Sequence, residues 1–264
     1  MNYKIKIIIF TFFLTFSFST ETSLNILNFN IHGFGGKKIV KKVSKIVDKI
    51  KNFDIIFIQE NWVHQKLFNN KLLNHYLILS NKKNKTIYNS GLTIGVHNDY
   101  NIVEYEERLF KECNGIIFNG SDCLASKGVI YTRINKDDRY LDIYNTHLDS
   151  GNSKCDNKIR AKQLSFLINY ISDKSKDNSV IICGDFNINY RNNPSLIDDF
   201  MNELNLKSHN SLKTNTVDYI FYRDSRDLEF DVIGRNVQIN DSLYYLSDHK
   251  PLSALFNLSK NKGN

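Results

Sequence analysis

The chain has 264 residues, a formal net charge of +7, 41% hydrophobic residues and 12% aromatic residues. That composition buries a sizeable core and excludes disorder for the bulk of the chain. No Pro-, Gly- or Ser-rich linker and no internal repeat divides it, so one domain is expected. The positive balance suits an anionic partner such as nucleic acid or a lipid head-group layer, without choosing between them.

In chain order, Met1–Lys6 is basic, Ile7–Phe18 is almost wholly apolar, and Ser17–Thr20 sets small residues at alternate positions. These are the parts of a secretory signal peptide cleaved near residue 20, which implies a secreted or periplasmic protein. The apolar run is short for a membrane span; an uncleaved anchor is the alternative. Residues 1–20 are therefore set apart from a domain over 21–258, and 259–264 reads as a frayed tail.

Leu24–Asn30 alternates as a strand, and His32–Gly36 breaks it. Ile39, Val43, Ile46, Val47 and Ile50 recur at helical spacing, and Asp54–Gln59 is a second buried strand ending at Glu60. Lys71–Leu79 fits neither pattern cleanly, and Asn81–Lys85 is a charged loop. Gly91–Val96, Asn101–Leu109, Lys127–Ile134 and Arg139–Thr146 read as successive strands, with His147 at the end of the last. Ile159–Ile171 is a helix carrying Leu164, Leu167, Ile168 and Ile171 on one face. Val180–Cys183 is a buried strand running into Gly184, Asp185, Phe186 and Asn187.

Pro194 opens a third helix, Val217–Tyr222 is a strand, and Ser247–Pro251 precedes a last strand, Leu252–Leu258. Mixed strand runs with few helices argue for two packed sheets with helices outside, not a doubly wound parallel sheet.

Four cysteines stand at 113, 123, 155 and 183. Cys183 lies in an apolar strand and reads as a buried free thiol. One pair is expected among the others, and Cys113–Cys123 and Cys113–Cys155 both remain open.

Polar residues collect at strand ends: Asn30, Glu60, His147, Asp185, Asn187, Asp218, Asp248 and His249. Asp185 and Asn187 are two apart, so on an extended backbone both point to one side, and their oxygens suit a hard divalent cation beside a phosphate. The segments Asn28–Asn30, Ile58–Glu60, Asn145–Leu148, Gly184–Asn187, Val217–Ile220 and Ser247–His249 together resemble the ordered motif set of the endonuclease/exonuclease/phosphatase superfamily, across nearly the whole of 21–258.

The resemblance implies an α/β fold, a four-layer α/β/β/α sandwich of two packed mixed β-sheets flanked by helices, and Mg2+-dependent cleavage of a phosphate ester. One or two ions are implied, with Mn2+ or Co2+ as substitutes. Glu60 would be the principal metal ligand, with Asn30 nearby and Asp248 completing the set or orienting its neighbour. His249 would be the general base, held by Asp218. Asp185 and Asn187 would position water, metal or phosphoryl oxygen, and His147 would donate to a non-bridging or leaving oxygen. The choice of base between Asp185 and His249 stays open.

Asp122–Tyr131 is similar to the Lys–Gly strand entry of secreted bacterial sphingomyelinases, and Thr146–Ser150 with Cys155, Arg160 and Gln163 resembles that branch's histidine motif. A phosphodiester on a membrane phospholipid head group is therefore expected before DNA, for a monomer. Lys127 also reads as a plain strand-edge charge. The chain is short where such enzymes often carry an apolar hairpin; Tyr244–Leu246 is the one candidate patch, and Trp62 the sole Trp. A deoxyribonuclease-like endonuclease is the rival reading. It would draw on Lys82, Lys83, Lys85, Arg108, Arg133 and Arg160, which are scattered. If the leader is cleaved, N-terminal sequencing of the exported protein should start near Glu21; an intact Met1 would refute cleavage.

Overall fold

The computed structural model describes residues 22–33, 37–63, 65–80, 89–115, 122–235 and 241–260. The expected signal peptide, Lys82, Lys83 and Lys85 lie outside the described residues. The strands are β1 (Thr22–Asn30), β2 (Ile55–Gln59), β3 (Tyr76–Ser80), β4 (Thr93–His97), β5 (Asn101–Leu109), β6 (Gly128–Lys136), β7 (Arg139–His147), β8 (Val180–Asp185), β9 (Lys207–Ser208), β10 (Asp218–Arg223), β11 (Glu229–Arg235) and β12 (Leu252–Ser259). The helices are α1 (Lys37–Ile50), α2 (Gln65–Leu72), α3 (Lys154–Lys174) and α4 (Pro194–Glu203).

The strands form two sheets of six, ordered β11-β12-β1-β2-β4-β3 and β5-β6-β7-β8-β10-β9. Each sheet has a single parallel pair, β1–β2 in one and β7–β8 in the other. Both pairs come from a strand–helix–strand crossover, through α1 and α3 respectively. A parallel pair sets two C-terminal strand ends side by side. Asn30 therefore stands opposite Gln59, and His147 opposite Asp185.

Alternation along the strands explains the layers. Leu24, Ile26, Ile55, Phe57, Ile143, Ile181, Cys183, Ile220 and Phe256 fill the space between the sheets. The intervening residues Leu27, Phe29, Ile56 and Ile58 pack on Val43, Ile46, Val47 and Ile50 of α1 and Phe68 and Leu72 of α2. On the far side, Tyr144, Val180, Ile182 and Phe221 meet Leu164, Leu167 and Ile171 of α3 and Ile197 and Phe200 of α4. The result is the expected sandwich.

Carried on with period two, the face between the sheets turns polar before each strand ends: Asn28 and Asn30 on β1, Gln59 on β2, Asn145 and His147 on β7, Asp185 on β8, Asp218 on β10.

Beneath the rim these side chains tie the sheets together. Gln59 Nε2 donates to Asn28 Oδ1 at 2.8 Å and, across the interface, to Asn145 Oδ1 at 2.7 Å. Asn145 Nδ2 returns bonds to the carbonyls of Ile58 and Thr93, each at 2.9 Å, and Asn28 Nδ2 donates to the Gly184 carbonyl at 3.3 Å. Gly184 allows a close approach to β7, because a Cβ there would lie 2.2 Å from the Thr146 carbonyl oxygen.

Three parts depart from the sequence expectations. Lys71–Leu79 divides into the end of α2 and strand β3, which makes four helices where three were expected. The edge strand β11 carries Glu229, Asp231 and Arg235 and a bulge near Ile233, so its apolar signal is weak. Ser259, placed in the tail from sequence, pairs with Glu229 and closes β12. Among the described residues no helix is long and apolar enough to cross a membrane.

Replacing Asn145 by Leu removes two side-chain bonds to the carbonyls of Ile58 and Thr93 and leaves one buried amide N–H of Gln59 unpaired. The variant should lose about 3 kcal/mol of unfolding free energy in urea denaturation, from roughly 1–3 kcal/mol per unsatisfied group.

Candidate active site

Asp185 is the hub of the rim. It is 1% exposed, and its Oδ1 accepts the backbone N–H of Asn187 at 2.9 Å. Its Oδ2 accepts from Asn30 Nδ2 at 2.9 Å and lies 3.6 Å from His147 Nε2 and 3.7 Å from His249 Nε2. Asn30 Nδ2 also donates to Glu60 Oε1 at 3.0 Å, so one amide joins carboxylates carried by different sheets.

Glu60 follows the last residue of β2 and would continue the strand alternation away from the site. A left-handed backbone, φ 58°, turns it instead towards Asn30. His32 and Asn187, each two residues beyond a strand end, share that conformation at φ 45° and 51°. Non-glycine residues there cost about 1–3 kcal/mol each, and such strain gathers where a side chain must be aimed. Gly33 accommodates the fold of this segment; a Cβ would lie 2.0 Å from the Glu60 carbonyl oxygen.

His249 Nδ1 is 2.8 Å from Asp218 Oδ2. Burial alone would depress the imidazole, but the hydrogen bond and charge of Asp218, with Asp185 and Asp248, outweigh it and raise its pKa to about 9. Burial, then the charge of Asp185, raise Asp218 despite the bond from His249. The pair thus shares a tightly held proton. His147 behaves in the opposite way. Burial, then the charges of Lys127 and His249, push its pKa well below the ordinary histidine value, so this ring is neutral.

Lys127 is not an edge charge. It is buried at the start of β6, with Nζ 2.7 Å from Asp122 Oδ1, 2.7 Å from the Leu148 carbonyl and 3.3 Å from His147 Nε2. Its sequence signal was the Lys–Gly entry to β6; the contact with His147 is tertiary.

Arg160 and Gln163 fix the loop after His147. Arg160 Nη1 donates to the carbonyls of Asp149, Ser150 and Gly151 at 2.9, 3.2 and 2.8 Å, while Gln163 exchanges two 2.9 Å bonds with Asp149. A capping box of Ser153 and Asp156 starts α3 and holds both donors in place. Cys113 and Cys123 form a disulfide, which decides between the two expected pairings; Cys155 is an exposed free thiol and Cys183 a buried one.

The structure thus brings together Asn30, Glu60, His147, Asp185, Asn187, Asp218 and His249. Asp248 stands apart at the rim, its side chain 60% exposed, 3.4 Å from His32 Nδ1, which is itself 3.4 Å from Glu60 Oε2. Sequence reasoning passed over His32 as a site residue because it read only as the end of a strand. Asn30 turns its amide nitrogen to the carboxylates, while its oxygen accepts the His32 N–H at 3.0 Å. It therefore clamps Glu60 and Asp185. Trp62 stacks on His147, ring centroids 6.2 Å apart.

Ligand atoms of Glu60, His147 and Asp185 lie within 4.8 Å of one another, as do those of Asp185, Asp218 and His249. Burial raises the pKa of Glu60; Asn30 opposes that rise and Asp185 adds to it. A buried and a half-buried carboxylate held side by side by one neutral amide are a fit for a hard divalent cation.

Residues 27–249 match the Endonuclease/Exonuclease/phosphatase family. The chain belongs to that family. It is 26% identical over 223 residues to Sphingomyelinase C 2 of Leptospira interrogans, covering 75% of this chain and 35% of that protein. It is 28% identical over 187 residues to Sphingomyelinase C of Bacillus cereus, covering 62% of this chain and 54% of that one. The chain thus spans about a third and about half of the lengths of these two relatives. A beta toxin mutant from Staphylococcus aureus with bound magnesium ions superposes with a TM-score of 0.67 at 23% identity, covering 88% of this chain and 99% of the toxin. That likeness establishes the fold.

In chelator-treated protein, the His249 ring should titrate above the ordinary value of about 6.5. Asp218→Asn should bring it back towards that value. NMR titration of the imidazole signals checks both; an unmoved titration in the variant contradicts the pairing.

Proposed function

We propose that the protein is a secreted or periplasmic, monomeric, Mg2+-dependent phosphoric diester hydrolase of the sphingomyelinase C type, with sphingomyelin as the substrate. The observation that carries this reading is the convergence on Asp185 of a His249–Asp218 pair, a neutral His147 and the Glu60 carboxylate. The relatives named as sphingomyelinases support the choice of substrate.

Glu60 and Asp185 would hold the cation, with Asp248 near the rim. When bound, it supplies positive charge that offsets the repulsion between a phosphodiester and its nucleophile and favours the deprotonated form of His249. Asp218 fixes the His249 ring through Nδ1, which leaves Nε2 to take a proton from water. His147, kept neutral by its surroundings, would present its Nε2 edge, with the Lys127 ammonium 3.3 Å away, to a non-bridging or leaving oxygen. Asn187, whose Nδ2 donates to the Leu148 carbonyl at 3.0 Å, keeps the strand end of β8 in register with the loop after His147.

The endonuclease rival loses support from the described basic residues. Arg108 pairs with Glu106 at 2.9 Å, Arg133 pairs with the buried Asp142 at 2.7 Å, and Arg160 is buried against loop carbonyls. None of the three is free to follow a phosphate backbone.

Purified protein should release phosphocholine from sphingomyelin vesicles with Mg2+ and stop when the metal is chelated; plasmid nicking without lipid hydrolysis would favour the nuclease. Glu60→Gln should raise the Mg2+ concentration for half-maximal rate by roughly 10-fold or more, and unchanged activity at limiting metal would remove Glu60 from the ligand set. His249→Ala should lower turnover by about 10²–10⁴-fold with an unaltered circular dichroism spectrum. A full residual rate would place the base elsewhere.

A further inference from the structure

Beside His249 a cleft of about 1030 Å³ opens between the ends of the two sheets, beyond what the reaction centre occupies. Asp218 and His249 form its inner end. Arg235 at the end of β11, Lys250 just before β12, and Asn210, Ser211 and Thr214 also line it.

The charges in this cleft are unequal in their commitments. Its two carboxylates are engaged: Asp218 with His249 at 2.8 Å and Asp248 with His32 at 3.4 Å. Arg235 and Lys250 are exposed, and neither forms a hydrogen bond or ion pair among the described residues. Val217, Tyr244, Pro251 and Leu252 add apolar surface beside these charges. Two exposed cations without a partner among the described residues suit a phosphate anion.

The same rim carries Tyr245, 87% exposed, next in sequence to the cleft-lining Tyr244. A tyrosine with an apolar body and a wet hydroxyl suits the head-group level of a membrane. A nucleic-acid strand would call for a longer row of free cations, and the described arginines along the rest of that reading are committed elsewhere.

We infer that this cleft binds the phosphate of an anionic lipid lying beside the substrate, so that membrane surface charge holds the active site at the bilayer. The inference rests on the phospholipid reading of the active site. Two basic residues near an anionic surface correspond to roughly a tenfold gain in partitioning or more.

Co-sedimentation in chelator, without sphingomyelin, separates binding from turnover. The full chain should partition at least roughly tenfold more strongly onto phosphatidylcholine vesicles containing phosphatidylglycerol than onto phosphatidylcholine alone, with the preference shrinking as salt rises. The Arg235→Gln/Lys250→Gln double variant should lose that preference, and Arg235→Lys/Lys250→Arg should keep it. Hydrolysis of soluble bis(p-nitrophenyl) phosphate should be the same in wild type and in the double variant. Equal partitioning of wild type and the double variant, or no preference in wild type, overturns the inference. So does a double variant that loses plasmid binding while its vesicle binding is unchanged. If wild type releases no phosphocholine from sphingomyelin vesicles with Mg2+, the phosphodiesterase reading fails, while the chelator vesicle result still judges the cleft.

Discussion

The two sheets are held in position by amides that would be costly to bury in any other arrangement. Gln59 bonds across the interface to Asn145, and Asn145 answers to the carbonyls of Ile58 and Thr93. In a low-dielectric interior such a network is strong when complete and expensive when broken, so it tolerates little sliding. Apolar packing between the sheets supplies cohesion but is not directional. The amide cross-bonds add register, and they sit one step below the rim. Each carboxylate and imidazole above them inherits that register through its own strand.

The rim itself uses one local device repeatedly. A strand buried on both faces ends, and the following residues enter left-handed backbone at His32, Glu60 or Asn187. This breaks the period-two alternation at the point where it would aim a side chain away from the centre. The Asn30 amide then holds the Glu60 and Asp185 carboxylates together, although their charges repel. The stability given up in strain and repulsion is supported by the fully buried strands beneath.

Two histidines flank one carboxylate and are driven to opposite states by their neighbours. His249 has an acidic partner in Asp218, and His147 has the ammonium of Lys127 beside it. Asp122, close to the Cys113–Cys123 bridge in the chain, fixes Lys127, while Arg160 and Gln163 fix the loop after His147. Residues pushed apart in this way are suited to different proton roles, which is the basis of the functional proposal.

Most of the fold was legible because buried strands and amphipathic helices write their period directly into the chain. The strand ends Asn30, Glu60, His147, Asp185 and Asp218 were visible for the same reason, and the ordered motifs tied them to one family. What lacked a periodic signal was missed: α2 runs into β3 after a short turn, and β11 is a charged edge strand. The sequence by itself determined where most of the strands lie and which face their paired residues occupy, because alternation is local. Tertiary structure alone decided that Lys127 meets His147, that the Asn30 amide bridges Glu60 and Asp185, that Asp248 stands at the rim, and that Cys113 bonds to Cys123. Those outcomes depend on distances between segments far apart in the chain, which side-chain periodicity does not encode.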